Sequence, residues 1–337
     1  MSDPLPLTPR SPKQPGSRRP SPSRGEGLSR LLCAFAIATI SLSTLASEPE
    51  STTAPKLPDT PVRYTCGEPT ADEQYVLQMI NRGRMDPKAE GKRLQLDMAE
   101  GLEPGEKMRL ESKPPLAMNE ALLKTARDHS KDMYDRAYFD HTSPDGKHFM
   151  QRIKDSGYAF SAIAENIAAG SNHTAAELQD LLVVDSDTPG RGHRCNLFGL
   201  HEGTAKLREV GVGLYTNEKK NADGLTTLLT QDFGVLGVHA KPILTGVVYA
   251  DKDANGFYDP GEGLAGVTVK LDDGSAFAIT NAAGGWAIPV SPGRAKLTVS
   301  GGDFEGTATA SVKVTSDNVE LDFISGKSDA IVNFGKE

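Results

Sequence analysis

Three cysteines and one tryptophan among 337 residues, with aromatics at 6%, leave this chain short of several common devices. So few thiols exclude a disulfide-dense secreted scaffold and any zinc ribbon built on four cysteines. No His-Glu-x-x-His segment occurs, which removes the best-known helical zinc-protease signature. Excess positive charge is also absent: the formal net charge is −8. An acidic surface repels polyanions, so nucleic acid is excluded as a partner class. Long apolar runs are missing too. The uncharged stretch from Leu31 to Ala46 is too short to span a bilayer comfortably.

That stretch follows Arg10, Lys13, Arg18, Arg19, Arg24 and Arg30 and ends on the small residues Thr44 and Ala46, the order of a secretory leader. Cleavage is expected after Ala46, with residues 1–46 a signal peptide carrying a long basic n-region. Loss of six Lys/Arg and two Asp/Glu then takes the net charge from −8 to −12. The mature chain is expected to have no transmembrane helix and to be secreted or held in the cell envelope. Cys33 lies early in the apolar run, the wrong place for a lipoprotein acceptor. Cys66 and Cys195 remain; an oxidising compartment permits one bridge, but spacing leaves open whether they pair.

Residues 47–67 begin Pro/Ser/Thr-rich and are read as a linker. From Ala71, Val76, Met79 and Ile80 fall on one helical face, with Pro87 beyond as a stop. Asn119 caps a second predicted helix with Leu122, Ala126, His129 and Met133 in one stripe, which makes His129 a core histidine rather than a ligand. Shorter helices are expected at 148–156 and 174–184. REVGVGLYTN and LTTLLTQDFG flank a turn and read as a β-hairpin. Helices followed by a hairpin imply an α+β or layered α–β–α domain. Beyond residue 242 the helical period vanishes. TGVVYA, GVTVKL, AFAIT, GWAIPV, AKLTVS, ASVKVT and VELDF alternate as short strands of a β-sandwich, with Trp286 in its core.

Three segments carry chemistry: YFDHTSPDG around His141, AENIAAG around Glu165 and TPGRGHRCNLFG around His193. Each places an imidazole or carboxylate beside Gly, Pro or Asn, so the three are expected to converge from separate turns. Two neutral imidazoles can bind Zn2+ or a similar divalent ion, with a carboxylate orienting water or completing the shell. A catalytic zinc usually takes three protein ligands, and spacing supplies no third. Ser143 is near His141 but lacks a nucleophile elbow. Arg194 could pair with a carboxylate or bind an anionic group, a structural salt bridge being the more common use.

With INRGRMDP, PLAMNEALLKTARDHSKDM, EVGVGL and TQDFG, these segments follow an order that resembles the CAP/SCP superfamily (cysteine-rich secretory, antigen 5 and pathogenesis-related proteins), in particular its exported bacterial members. The resemblance covers residues 68–238 and implies a CAP-type α–β–α sandwich with a central cleft of two histidines and two acids. His141 and His193 match the histidines and Glu165 the glutamate of the Gly-Glu-Asn-Ile motif, although Ala164 replaces its glycine. The second acid belongs before the Gly-His motif. Asp185 is the candidate there, with Asp187 and Glu177 as competitors.

A separate loop, DKDANGFYDPGE, sets Asp251, Asp253, Asn255, Gly256, Asp259 and Glu262 at positions 1, 3, 5, 6, 9 and 12 of the calcium-loop pattern, with Phe257 offering a main-chain carbonyl. Its flanks are strands, so it is no EF-hand. Residues 242–325 resemble the SdrD B-like modules of bacterial surface adhesins, which implies a calcium-binding β-sandwich of immunoglobulin or prealbumin-like type acting as a spacer; 326–337 form a tail. The leading reading is a non-enzymatic exported protein that binds a metal and a small-molecule, lipid or envelope ligand at its cleft. A metal-dependent extracellular hydrolase and a purely adhesive envelope protein are the alternatives.

Overall fold

The computed structural model describes residues 60–237 and 240–332; the expected leader, Cys33 and most of the linker lie outside them. The first part runs β1 (Val62–Tyr64), α1 (Ala71–Met85), α2 (Pro87–Leu94), α3 (Pro104–Met108), β2 (Ala117–Met118), α4 (Glu120–Asp135), α5 (Phe149–Asp155), β3 (Phe160–Gly170), α6 (Ala175–Val184), α7 (Gly192–Phe198), β4 (Glu209–Thr216) and β5 (Thr227–Leu236). Local chemistry sets the helix starts. Thr70 and Thr174 each form a capping box with the glutamate three residues on, and the Asn119 carboxamide accepts from Ala121 and Leu122.

Strands β2, β4, β5 and β3 form one sheet in that order, with β4–β5 the predicted hairpin. The two faces of β4 read differently. Val210 and Val212 are buried in a core with Val76, Leu77 and Ile80 of α1 and Leu178 and Leu182 of α6. A fully buried side chain of this size contributes about 1.5–3 kcal/mol. On the other face Gly211 and Gly213 let α4 lie directly on the strand: a Cβ there would stand 1.9 Å from the Leu122 backbone or 2.1 Å from that of Arg127. Buried Glu73 of α1 ties the layers, accepting from Arg127 of α4 and from the Leu214 amide of β4.

The second part contains β6 (Ile243–Tyr249), β7 (Thr268–Leu271), β8 (Ala276–Ile279), β9 (Gly285–Pro289), β10 (Gly293–Ser300), β11 (Thr307–Val314), β12 (Val319–Ile324) and β13 (Ile331–Val332). The seven expected strand segments correspond to β6 through β12. A five-stranded sheet, β1-β8-β7-β10-β11, and a four-stranded one, β13-β12-β6-β9, share a core that includes Trp286, Ile288, Leu297, Val299 and Phe323. Two boundaries differ from the sequence reading. Val62–Tyr64, assigned to the linker, pair in parallel with Ala276–Ala278, and Ile331–Val332, assigned to the tail, pair with β12. Segments of two or three residues carry no readable period; their structure comes from the sheets they join.

Side chains bind the two parts together. Asn81 of α1 donates to Glu320 of β12 at 2.9 Å, and Asn318 donates to the carbonyls of Pro115 and Arg208 at 3.0 and 2.8 Å. Phe257 sits edge-on to Tyr75 of α1, with the Arg82 guanidinium 4.7 Å above its ring. Cys66 and Cys195 are buried free thiols rather than a bridge, and Cys66 is held by the Asn281 carboxamide.

Candidate functional site

Glu165 lies in the middle of β3, an 11-residue strand, rather than at a turn as expected. AENIAAG is mostly buried in the fold, so it lacks the polar alternation that marks a half-exposed strand. Glu165 stands directly opposite Asp232 of β5, and Asp232 directly opposite Gly211 of β4, so both acids face α4. Thr125 of α4 donates to Asp232 Oδ2 at 2.6 Å. The Glu165 carboxylate accepts from His141 Nδ1 at 2.7 Å and from Arg152 of α5 at 2.5 Å. Arg152 also donates to the His141 carbonyl at 2.9 Å, so a single guanidinium fixes both partners.

Burial pushes Glu165 up to about 7 against the pull of Arg152. Burial and the neighbouring Glu165 charge raise Asp232 well above the usual carboxylate range. With Arg152 and His141 on Glu165 and only Thr125 on the far oxygen of Asp232, the pair's negative charge rests on Glu165 and its proton on Asp232. Burial and Arg152 lower the His141 imidazole, which is therefore neutral near pH 7, donating through Nδ1 and keeping a lone pair on Nε2.

His193 stands in the first turn of α7. Of the three acids considered as the second acid, Asp185 lies beside His193: its Oδ1 is 2.7 Å from His193 Nδ1, and its Oδ2 accepts from the His193 and Arg194 amides. Asp185 ends α6 in the left-handed conformation, φ 51°, which turns its side chain toward α7. Burial alone would raise its carboxyl, but His193, Thr188 and the Arg194 amide hold it below the usual value. Glu177 instead caps α6 through Thr174, and Asp187 accepts from Ser186. Asn166 looks to the face opposite Glu165, donates to the His193 carbonyl at 3.2 Å and accepts from Asn196. Neighbouring residues of β3 thus anchor the two histidine segments.

Other expectations fall into place around these pairs. His129 is buried, bonded to the Asp140 carbonyl and pushed by burial down to about 3. Ser143 accepts from Tyr138. Arg194, expected in a salt bridge, instead gives its guanidinium to the carbonyls of Val183, Val184, Met98 and Glu100. The sequence reading missed Arg152, Asp232, Asn166 and Asn196. Asp232 and both asparagines lay inside quoted segments, TQDFG, AENIAAG and RGHRCNLFG, whereas Arg152 has no motif around it. An open concavity of about 470 Å³ borders α2, lined by Pro87, Leu96, Met98 and Leu110, and includes neither histidine.

Among the described residues, two trios of His, Cys or acidic donors have ligand atoms within 4.8 Å of one another. They are Glu106–Cys195–His201 and Asp251–Asp253–Glu262; neither contains His141 or His193. The second belongs to the acidic loop after β6. There Asn255 donates to Asp253 at 2.9 Å and to Asp259 at 2.6 Å, Glu262 accepts from the Lys252 and Asp259 amides, and the Gly256 amide points at Asp251. Lys252 Nζ is turned to the Gly261 carbonyl. Hard oxygens gathered in this way suit Ca2+.

Residues 77–233 match the profile of the family described as CAP, Cysteine-rich secretory protein family. The uncharacterized protein YkwD of Bacillus subtilis (strain 168) is 35% identical over 99 residues, 29% of this chain and 34% of its own length. An extracellular SCP-domain protein from Bacillus anthracis str. Ames aligns at 28% identity and TM-score 0.29, covering 36% of this chain and 34% of its own. An outer surface protein from Borrelia burgdorferi aligns at 20% identity and TM-score 0.29, covering 44% of this chain and 94% of its own. The chain spans about a third of the length of both Bacillus proteins. No helix among the described residues is long and apolar enough to cross a membrane. Residues 77–233, which hold both imidazole–carboxylate pairs, are a CAP/SCP domain.

Proposed function

We propose that this is an exported CAP protein, its α–β–α sandwich offering the imidazoles of His141 and His193 to a divalent ion such as Zn2+ and to an envelope or lipid-like ligand. The β-rich part, residues 242–325, is read as a calcium-stabilised, SdrD B-like spacer using Asp251, Asp253, Asn255, Phe257, Asp259 and Glu262. One observation carries the cleft reading: each histidine gives Nδ1 to a carboxylate at 2.7 Å, the outer-shell arrangement that fixes a metal-binding tautomer and leaves Nε2 as donor. Calorimetric titration of the chelator-stripped chain with Zn2+, compared with His141→Ala and His193→Ala, tests it. Binding weakened by each substitution is expected; binding unchanged by both would end the proposal.

A hydrolase is the second reading, favoured by the position of Glu165 at about 7, where a general base works near neutrality. Both of its oxygens are already occupied, by His141 and Arg152, which ranks ligand binding first. Turnover of a peptide, ester or glycoside in a broad substrate panel, lost in Glu165→Gln, would reverse that order.

A further inference from the structure

The trio Glu106–Cys195–His201 belongs to neither site above. Its members come from three pieces of chain. Cys195 lies within α7, His201 follows the turn that ends it, and Glu106 projects from α3. Gly199, φ 59°, reverses the chain after α7, and Thr204 secures the reversal by accepting from the His201 amide and bonding the Cys195 carbonyl. The Glu106 carboxylate is oriented by its other oxygen, which accepts the Glu103 amide at 2.7 Å. A buried thiol, an imidazole and a carboxylate therefore converge with ligand atoms within 4.8 Å of one another.

We propose that Cys195, His201 and Glu106 form a Zn2+ site that uses none of the cleft donors, with solvent completing the shell. The Cys195 thiol donates to the Gly190 carbonyl at 3.5 Å, a contact that a metal bond would replace. His201 Nδ1 is 3.4 Å from Glu106 Oε1, whereas both cleft imidazole–carboxylate pairs are at 2.7 Å. Charge-assisted hydrogen bonds close to about 2.7–2.9 Å. With Zn–N and Zn–O bonds of about 2.0–2.1 Å, the edge of a tetrahedron is about 3.4 Å. Donor chemistry selects the ion: thiolate with imidazole and carboxylate favours Zn2+ over Mg2+ or Ca2+. Cys195 has no accessible surface, while the His201 side chain is 33% exposed, so an ion reaches the thiol from the imidazole side and keeps one position for water. On binding, the Sγ–H bond breaks, its proton passes to solvent, and the sulfur lone pair forms the Zn–S bond without redox change.

Cobalt(II) in place of zinc gives a direct readout. The full chain, stripped with chelator and saturated with Ca2+, is titrated with Co2+ while the near-ultraviolet sulfur-to-cobalt charge-transfer absorption is followed. Zn2+ affinity is then measured by competition. The band is expected in the unsubstituted chain and in His141→Ala/His193→Ala, and lost in Cys195→Ser. His201→Ala and Glu106→Gln, substitutions at partly exposed positions, are expected to weaken Zn2+ binding about tenfold or more, as loss of even outer-shell partners does. No charge-transfer band, or a band and an affinity unaltered by both His201→Ala and Glu106→Gln, would overturn the site. Should Cys195→Ser fail to fold, those two variants decide the question. Because the cleft holds no thiol, failure there leaves this readout untouched.

Discussion

Glu165 and Asp232 differ in what they hold, and replacing each with its amide should show it. Glu165→Gln removes the charge that Arg152 meets at 2.5 Å, and the Arg152 side chain is only 9% exposed. Breaking a buried pair from one side costs about 3–5 kcal/mol, because the remaining ion is left unpaired. Asp232→Asn replaces a protonated carboxyl with an amide of nearly the same shape and keeps an acceptor for Thr125, so its cost is about 1 kcal/mol or less. At a urea dependence of about 2–3 kcal/mol per molar, the first variant shifts the midpoint by about 1–2.5 M and the second by under about 0.5 M. The pH dependence has a definite sign. Burial and the neighbouring Glu165 charge raise Asp232 well above its ordinary 3.8, so the native state holds a proton that the unfolded chain releases. The stability that this proton confers is complete below about 3.8 and is lost as pH rises through the raised native value. Urea melts of the chelator-treated protein from pH 5 to 9 should show this loss, and Asp232→Asn should flatten its alkaline portion. Equal costs for the two amides, or stability that climbs from pH 6 to 9, would refute the assignment of charge and proton.

Calcium should raise the melting temperature of the β-rich part, and Asp251→Ala should abolish the rise; scanning calorimetry with Ca2+ or excess chelator checks both. Gly213→Ala should destabilise by about 3 kcal/mol or more, since its methyl would stand 2.1 Å from the α4 backbone, and urea melts at fixed pH measure it.

What the sequence disclosed follows from where information is local. Asn119 and the stripe from Leu122 to Met133 announce α4 because cap and period lie within one segment. β3 stayed hidden because a strand buried on both faces has no alternation, and its Ala-rich composition has low strand preference. His141 and His193 were legible by their motifs, yet Arg152 was not, since only the fold of α5 against β3 brings it to Glu165. Asp185 was one of three candidates until the left-handed end of α6 turned it to His193. Cys195 was in view in the sequence, but His201, beyond the end of its segment, and Glu106, from a five-residue helix, belonged to no motif, and nothing connected the three.

β1 gives the chain an unusual order of assembly. The β-rich part has a strand from ahead of the CAP/SCP domain, so that domain is an insertion between the first and second strands of another fold. A fragment starting at residue 242 would leave the Ala276–Ala278 edge of β8 uncovered, and an open edge recruits whatever extended backbone is nearby, including a second copy. Expressed alone, that fragment should associate with itself in light scattering, and fusing residues 60–66 ahead of it should return it to a monomer. The practical unit of this protein is therefore the whole span from residue 60 to residue 332, held together by β1 and by the contacts of Asn81 and Asn318.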